Sequence, residues 1–208
     1  MAKKPNNATE TDMHMVVGMA TTVWGKVEIL IQDAFVQAVD PTGIGSGAAA
    51  RAFWEVVSFK GKLDMTNAAM RHTMKTMPHL QARWTNLYNR AIRESKKRNE
   101  LAHGEVMRES KNNNSGTITT EIVFRPYWFK ETFKGQDSRD YEPLKRTAQE
   151  IVEFITKLST LTRDLKVFLS DLRAEQLESL PEQLERRLDS AKSRVRRPTT
   201  PPEEPSQA

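Results

Sequence analysis

Apolar residues recur at steps of three and four along most of this 208-residue sequence, which is the spacing of an amphipathic α-helix. The pattern covers four long stretches, at about residues 16–39, 48–77, 78–103 and 141–174. A chain built from such stretches buries one face of each helix against the others. The sequence therefore predicts an all-α fold, a bundle of four long helices.

Local signals predict where these helices begin and end. Asp12 is the predicted N-cap of the first helix, which the Gly- and Pro-rich residues 40–47 end. Gly61 lies inside the second helix and predicts a bend or break there. Pro78 starts the third helix, where its missing N–H costs nothing. Gly104 is suited to the left-handed residue that closes this helix.

A different pattern separates the third helix from the last one. Alternating residues at 118–125, a turn at 112–116 and a final Pro126 predict a β-hairpin insert over residues 104–129. The predicted organisation is then a flexible N-terminus (1–12), a helical domain (13–174) and an amphipathic helical extension (175–191). Residues 192–208 are basic and then Pro-rich, which predicts a disordered tail.

Composition excludes several classes of protein. The chain has no cysteine, which rules out disulfides, thiolate catalysis and Cys-ligated metals. Polar residues 1–11 lack the apolar stretch of a signal peptide, and no run of about 18 apolar residues could span a membrane. We therefore expect a cytoplasmic protein with no membrane partner. The net charge of +5 is compatible with a polyanion partner but does not require one.

The third helix departs from its own pattern near its C-terminal end. Its apolar side is set by Leu80, Trp84, Leu87, Tyr88 and Ala91. Continued at about 100° per residue, that side reaches Ser95, Arg98, Asn99 and Ala102. His103 follows four residues after Asn99 and shares its face. A charge on a buried side is costly unless it is paired or used, so this segment is the candidate functional site.

The chemistry of these residues suits a phosphodiester. Arg98 offers a planar fork of donors to a phosphate, and the imidazole of His103 can gain or lose a proton close to neutrality. Such a pair could support attack of a ribose 2′-OH on its own phosphodiester without a metal. The alternative is that His103 and Gly104 merely end a helix, and that Arg98 pairs with a carboxylate on a neighbouring helix.

The stretch Lys97-Arg98-Asn99-Glu100-Leu101-Ala102-His103-Gly104 resembles the signature of HEPN domains. That signature is an Arg with a polar residue after it and a His after a gap of four to six residues. Here the polar residue is Asn99 and the gap is four. An early helix with Trp24 and Glu28, and a second with Phe53, Ser58, Lys62, Leu63 and Asp64, also look like uncharacterised bacterial HEPN-like proteins. The resemblance covers roughly residues 13–174.

The resemblance implies a HEPN-like bundle that forms a homodimer with two motifs facing each other in one cleft. Many members are metal-independent endoribonucleases, often toxins or phage-defence effectors, that leave a 2′,3′-cyclic phosphate. Carried over, His103 would be general base or acid, Arg98 would bind the phosphate, and Asn99 would orient His103 or the substrate. Neither a metal nor a cofactor is expected.

Other members of the family are inactive. They serve as dimeric binding or scaffold proteins for RNA, a nucleotide or a protein partner, sometimes a nucleotidyltransferase antitoxin. The motif is intact here, which favours catalysis, but the sequence leaves both functions open.

Four cations precede the motif on the same helix: Arg90, Arg93, Lys96 and Lys97. They could hold an RNA backbone near the site, because each phosphate contact needs a cation. The alternative is an ordinary solvated helix face, since Glu94 interrupts the run. RNA is thus the predicted partner, with these four residues as candidate RNA-binding positions.

Overall fold

The computed structural model of the protein describes residues 8–112, 118–126 and 146–195. Within them lie five α-helices and one two-stranded antiparallel sheet. The elements are α1 (Glu10–Val39), α2 (Ser46–Glu55), α3 (Phe59–Thr73), α4 (Pro78–Ala102), β1 (Gly104–Asn112), β2 (Ile118–Pro126) and α5 (Ala148–Val195). The predicted helical fold with a hairpin is confirmed, with five helices in place of four.

The start of α1 differs from the prediction. Thr9 is the N-cap, and its side chain accepts a hydrogen bond from the backbone N–H of Asp12 at 3.1 Å. The Asp12 carboxylate in turn accepts from the backbone N–H of Thr9 at 2.9 Å. The prediction of Asp12 as N-cap is wrong, because Asp12 is the third helical residue of a capping box that satisfies two backbone donors reciprocally.

The stretch predicted as a single second helix is two helices, α2 and α3. The break falls at residues 56–58, and Ser58 caps α3 by accepting from the N–H of Gly61 at 3.0 Å. A Cβ on Gly61 would lie only 2.9 Å from Val56 Cγ1. The glycine therefore permits the close approach of the preceding connection, and the break lies before it rather than at it.

Apolar faces of α1, α3, α4 and the first part of α5 form the core, together with Phe53 of α2 and three residues of β2: Ile122, Val123 and Phe124. Its largest fully buried members include Trp24, Ile31, Phe53, Leu63, Met70, Leu80, Trp84 and Phe168. The rings of Trp84 and Phe168 are 5.6 Å apart, a distance at which aromatic pairs attract. Burial of these side chains supplies most of the driving force for the bundle.

A charged pair is buried beside this core. Lys62 of α3 is 5% exposed, and its Nζ lies 3.0 Å from Glu28 Oε1 of α1. The same Nζ is 3.9 Å from the centre of the Trp54 ring. Because a buried charge needs a partner, this contact links α1, α2 and α3 at one point.

The chain divides into two compact units, residues 1–169 and residues 170–208. The core and the site belong to the first. The described part of the second is the continuation of α5, which contains Pro181 and runs to Val195, four residues into the predicted tail. In the part of the chain that the structure describes, no helix is long and apolar enough to cross a membrane.

Some predictions fall outside the described residues. They are residues 1–7 of the predicted flexible N-terminus, the hairpin turn after residue 112, residues 127–145 with the predicted start of the last helix, and the tail from residue 196. The hairpin strands themselves are described, in a register that pairs Gly104 with Pro126 and Asn112 with Ile118. This register confirms the hairpin prediction.

Candidate functional site

The buried side of α4 takes a different course from the one predicted. Its buried residues are Leu80, Trp84, Leu87, Ala91, Glu94 and Leu101, at steps of three, four and seven. Asn99 and Ala102 are exposed, and Arg98 is half-buried. Asn99 does not lie on the side of α4 that packs within this chain, because the stripe passes through Glu94 and Leu101 rather than through Ser95 and Asn99.

Glu94 is the charge that α4 buries, and sequence reasoning missed it. The residue is 2% exposed, and its carboxylate accepts hydrogen bonds from Arg93 Nε at 3.0 Å and Lys97 Nζ at 3.2 Å. Both cations are on the same helix, one residue before and three residues after. A signal was available: Glu94 follows the buried Ala91 by three residues, which places it on the stripe.

The end of α4 is shaped by the strand that follows. His103 is the C-cap, and its N–H donates to the Glu100 carbonyl at 3.4 Å. Gly104 does not adopt the predicted left-handed conformation; among the described residues only Gly43 has a positive φ. A Cβ on Gly104 would lie 2.4 Å from Phe124 Cε1 and 2.7 Å from the Arg125 carbonyl oxygen. Glycine is needed there for space rather than for its φ angle.

An ion pair ties this helix end to the hairpin. Arg146 Nη2 donates to Glu100 Oε2 at 2.7 Å. The backbone of Arg146 also pairs with Phe124 of β2, through two N–H···O hydrogen bonds of 2.9 Å each. Glu100 therefore does not serve the predicted motif directly. It holds the last turn of α4 against β2 and the residues before α5.

The three predicted catalytic residues lie together at this helix end. Arg98 Nη1 donates to Asn99 Oδ1 at 3.3 Å, and the side chains of Asn99 and His103 are exposed. Among the described residues Arg98 has no carboxylate partner. A guanidinium has five N–H donors, so most of them are left for an anion.

Two cavities lie between α4 and the first part of α5, and we call them together the α4–α5 groove. One, of about 190 Å³, is lined by Lys97, Leu101, Arg146, Glu150, Ile151, Glu153, Phe154 and Lys157. The other, of about 220 Å³, is lined by Arg90, Arg93, Glu94, Thr156, Lys157, Thr160 and Leu161. The groove thus brings together Arg90, Arg93 and Lys97. The fourth predicted RNA-binding residue, Lys96, is exposed and lines neither cavity.

Part of the positive charge in the groove is neutralised within the protein. Arg90 Nη1 lies 2.7 Å from Asp164 Oδ2, and both side chains are about two-thirds buried or more. The hydrogen bond from Arg90 holds the pKa of the Asp164 carboxyl below its usual value. Arg93 and Lys97 share the carboxylate of Glu94 in the same way.

The fold and the site together define an α-helical bundle with a β-hairpin and, near an Arg-Asn···His helix end, a groove lined by charges of both signs. Within the described residues, no group of three or more His, Asp or Glu side chains is placed to hold a metal ion. A scan against protein-family models, a search of curated proteins and a search of solved structures each found no match to this chain.

Proposed function

We propose that this protein is a metal-independent endoribonuclease of the HEPN type that uses Arg98, Asn99 and His103. The observation that carries the proposal is the C-terminal end of α4. There an exposed imidazole, His103, and a guanidinium without a carboxylate partner among the described residues, Arg98, lie within two residues along the chain of Leu101 and Lys97, which line the groove. The resemblance to HEPN proteins adds the cellular role that we propose, a toxin or phage-defence effector.

The reaction divides into two proton transfers and one displacement. A neutral imidazole removes the proton of a ribose 2′-OH, and the oxygen attacks the adjacent phosphorus. The bond from phosphorus to the 5′ oxygen breaks, and an imidazolium gives that oxygen a proton. The products are a 2′,3′-cyclic phosphate and a 5′-hydroxyl end. Arg98 stabilises the negative charge that builds on the non-bridging oxygens.

Two imidazoles suit this reaction better than one. The attacking and leaving oxygens lie roughly in line on opposite sides of the phosphorus, so a base and an acid are needed at two separate places. Helix α4 offers one imidazole at this end, that of His103, because His79 lies near its other end, roughly 36 Å away along the helix. We therefore propose a homodimer in which two copies of the motif face one phosphodiester.

The first experiment is cleavage of total cellular RNA in the presence of EDTA. We compare wild type with Arg98→Ala and His103→Ala, and use His72→Ala as the control because His72 is an exposed histidine of α3. Wild type and the control should cleave and leave cyclic-phosphate ends, and the two site variants should lose about 100-fold or more. Full activity of His103→Ala, or abolition of wild-type cleavage by EDTA, would contradict the proposal.

A second experiment tests the two-imidazole arrangement. Wild type and His103→Ala are mixed in varying proportions at constant total protein, under conditions that allow subunit exchange, after light scattering has established the dimer. If each site needs both imidazoles, activity follows the square of the wild-type fraction, so an equal mixture retains roughly one quarter. Retention of one half or more would mean that one imidazole suffices, and a monomer would reject the homodimer.

Binding without cleavage is the second candidate function. The groove favours it because the cations of the groove can bind an anionic partner whether or not His103 is catalytic. In that case the protein is a dimeric scaffold for RNA, a nucleotide or a protein partner such as a nucleotidyltransferase antitoxin. If neither wild type nor the two site variants cleave RNA while the dimer remains intact, binding without cleavage is favoured. Toxicity on expression that disappears with His103→Ala would favour the enzyme.

A further inference from the structure

Lys157 of α5 occupies a position in the groove that the sequence did not single out. It lines both cavities, the one beside Lys97 and Leu101 and the one beside Arg90 and Arg93. It is the residue that these two linings have in common. An anionic chain that follows the groove from one cavity to the other must therefore pass this ammonium group.

Lys157 differs from the other cations of the groove in making no ion pair with a described residue, although the carboxylates of Glu150 and Glu153 line the same cavity. Arg90 is paired with Asp164, while Arg93 and Lys97 share Glu94, and Arg146 is paired with Glu100. Lys157 is exposed and makes no ion pair with any residue that the structure describes. An ion-paired cation attracts a phosphate less strongly than an unpaired one does. Among the cations of the groove, Lys157 should therefore contribute the most electrostatic attraction to a phosphate.

The ion-paired cations Arg93 and Lys97 would help binding mainly because they are already held in place, and less through their net charge. The buried carboxylate of Glu94 holds Arg93 Nε and Lys97 Nζ at 3.0 Å and 3.2 Å, which restricts the rotamers of both side chains. Each keeps N–H donors that Glu94 does not use. Cations held in place lose less conformational freedom when a phosphate arrives.

The groove leads toward the proposed catalytic residues. Lys97 lines the cavity nearer the C-terminal end of α4 and directly precedes Arg98. The cavity nearer Arg90 lies about 10 Å back along the helix, as judged from the rise of 1.5 Å per residue. Two small, separate cavities between packed helices suit the phosphates of one flexible strand better than the wide, rigid surface of a duplex.

We propose that the α4–α5 groove is a binding track for single-stranded RNA in which Lys157 is the main phosphate-binding residue, aided by Arg93 and Lys97. The track rests on the proposed function, since it delivers a strand to Arg98 and His103. Its affinity comes from backbone phosphates and is independent of base sequence. A flexible strand also suits the reaction, because in-line attack requires a nucleotide that can rotate out of helical geometry.

The test is equilibrium binding of a short fluorescein-labelled oligouridylate to the full chain, measured by anisotropy at several salt concentrations. All proteins carry His103→Ala so that cleavage does not interfere. Lys157→Gln is compared with Lys166→Gln. Lys166 is an exposed lysine of the same helix nine residues later, which is two and a half turns along the helix and thus on the opposite face. Lys157→Arg keeps the charge.

Lys157→Gln should weaken binding about three- to tenfold and reduce the slope of log K against log salt by about 0.7. Lys157→Arg and Lys166→Gln should bind like the parent. Equal effects of Lys157→Gln and Lys166→Gln, no effect of either, or equal affinity for a duplex of the same length would overturn the track. If wild type cleaves no RNA and Lys157→Gln still weakens binding, the binding track is supported and the ribonuclease proposal fails. If wild type cleaves but Lys157→Gln binds normally, the track fails alone.

Discussion

The first half of α4 fills its buried side with Leu80, Trp84 and Leu87, whereas the second half places Glu94 on the same side. Trp84 is fully buried and stacks near Phe168, and its Nε1 donates to Asn67 at 3.0 Å. Glu94 is almost as deeply buried, but its partners are the cations Arg93 and Lys97. One helix thus presents two kinds of buried side in succession.

The two halves of α4 differ in what their buried side chains do: those of the first half pack the core, and Glu94 of the second half positions cations. An apolar side chain removed from water stabilises the bundle in proportion to the area it buries. A buried carboxylate loses its hydration, and its ion pairs do little more than offset that loss. The first half of α4 therefore contributes more packing energy, and Glu94 in the second half holds two cations of the groove, Arg93 and Lys97, in place.

Trp84→Ala should have the largest effect on stability. Loss of a fully buried indole leaves a cavity against Phe168, so the free energy of unfolding should fall by about 3–5 kcal/mol, measured by urea denaturation. The exposed neighbour Thr85 is the control, and Thr85→Ala should change it by less than about 0.5 kcal/mol. A loss for Trp84→Ala of under about 1 kcal/mol would mean that the first half of α4 is not the packing half.

Gly104→Ala should come second, because the new methyl group would overlap the Phe124 ring and the Arg125 carbonyl. We expect a loss of about 1–3 kcal/mol and weaker RNA cleavage, since the strand that follows His103 must shift. Gly47→Ala is the matched control, because nothing lies within 4 Å of its Cβ and alanine favours a helix. Equal effects of the two substitutions would show that space at Gly104 is not limiting.

Asp164→Asn tests the pair that lies between the two halves. The folded pKa of Asp164 is lowered by Arg90, so the pair stabilises the protein above the unfolded pKa of about 3.9 and the stabilisation is lost as pH falls through the folded pKa. At neutral pH the variant should lose about 1 kcal/mol or less, because both side chains are partly exposed. Urea denaturation between pH 3 and pH 7 measures this, and the difference from wild type should shrink toward acid pH. A difference that grows toward acid pH would contradict the assigned sign.

Glu94→Leu should have the smallest effect on stability, within about 1 kcal/mol of wild type. The substitution removes the buried charge and leaves Arg93 and Lys97, whose side chains are 65% and 33% exposed, free to be solvated. Denaturation by urea is again the measurement. A loss as large as that of Trp84→Ala would erase the distinction between the two halves of α4.

The helices and the hairpin could be predicted because their signals are local. Steps of three and four residues, Pro78 at a helix start and alternation after residue 118 each involve neighbours along the chain. The same holds for the grouping of Arg98, Asn99 and His103, which follows from their positions on one helix end. The errors were local too: Asp12 for Thr9 at a cap, and Ser95 for Glu94 on a stripe, each within a residue or a few of the true position.

Local sequence patterns were enough to predict a helical bundle with a hairpin and an Arg-Asn···His segment at the end of a long helix. Three features became visible only in the folded chain: the Phe124 ring requires Gly104, Arg146 holds Glu100, and Lys157 lines the groove with Arg90, Arg93 and Lys97. These contacts join residues tens of positions apart. They depend on the register in which one helix packs on another, and periodicity within a single helix does not specify that register.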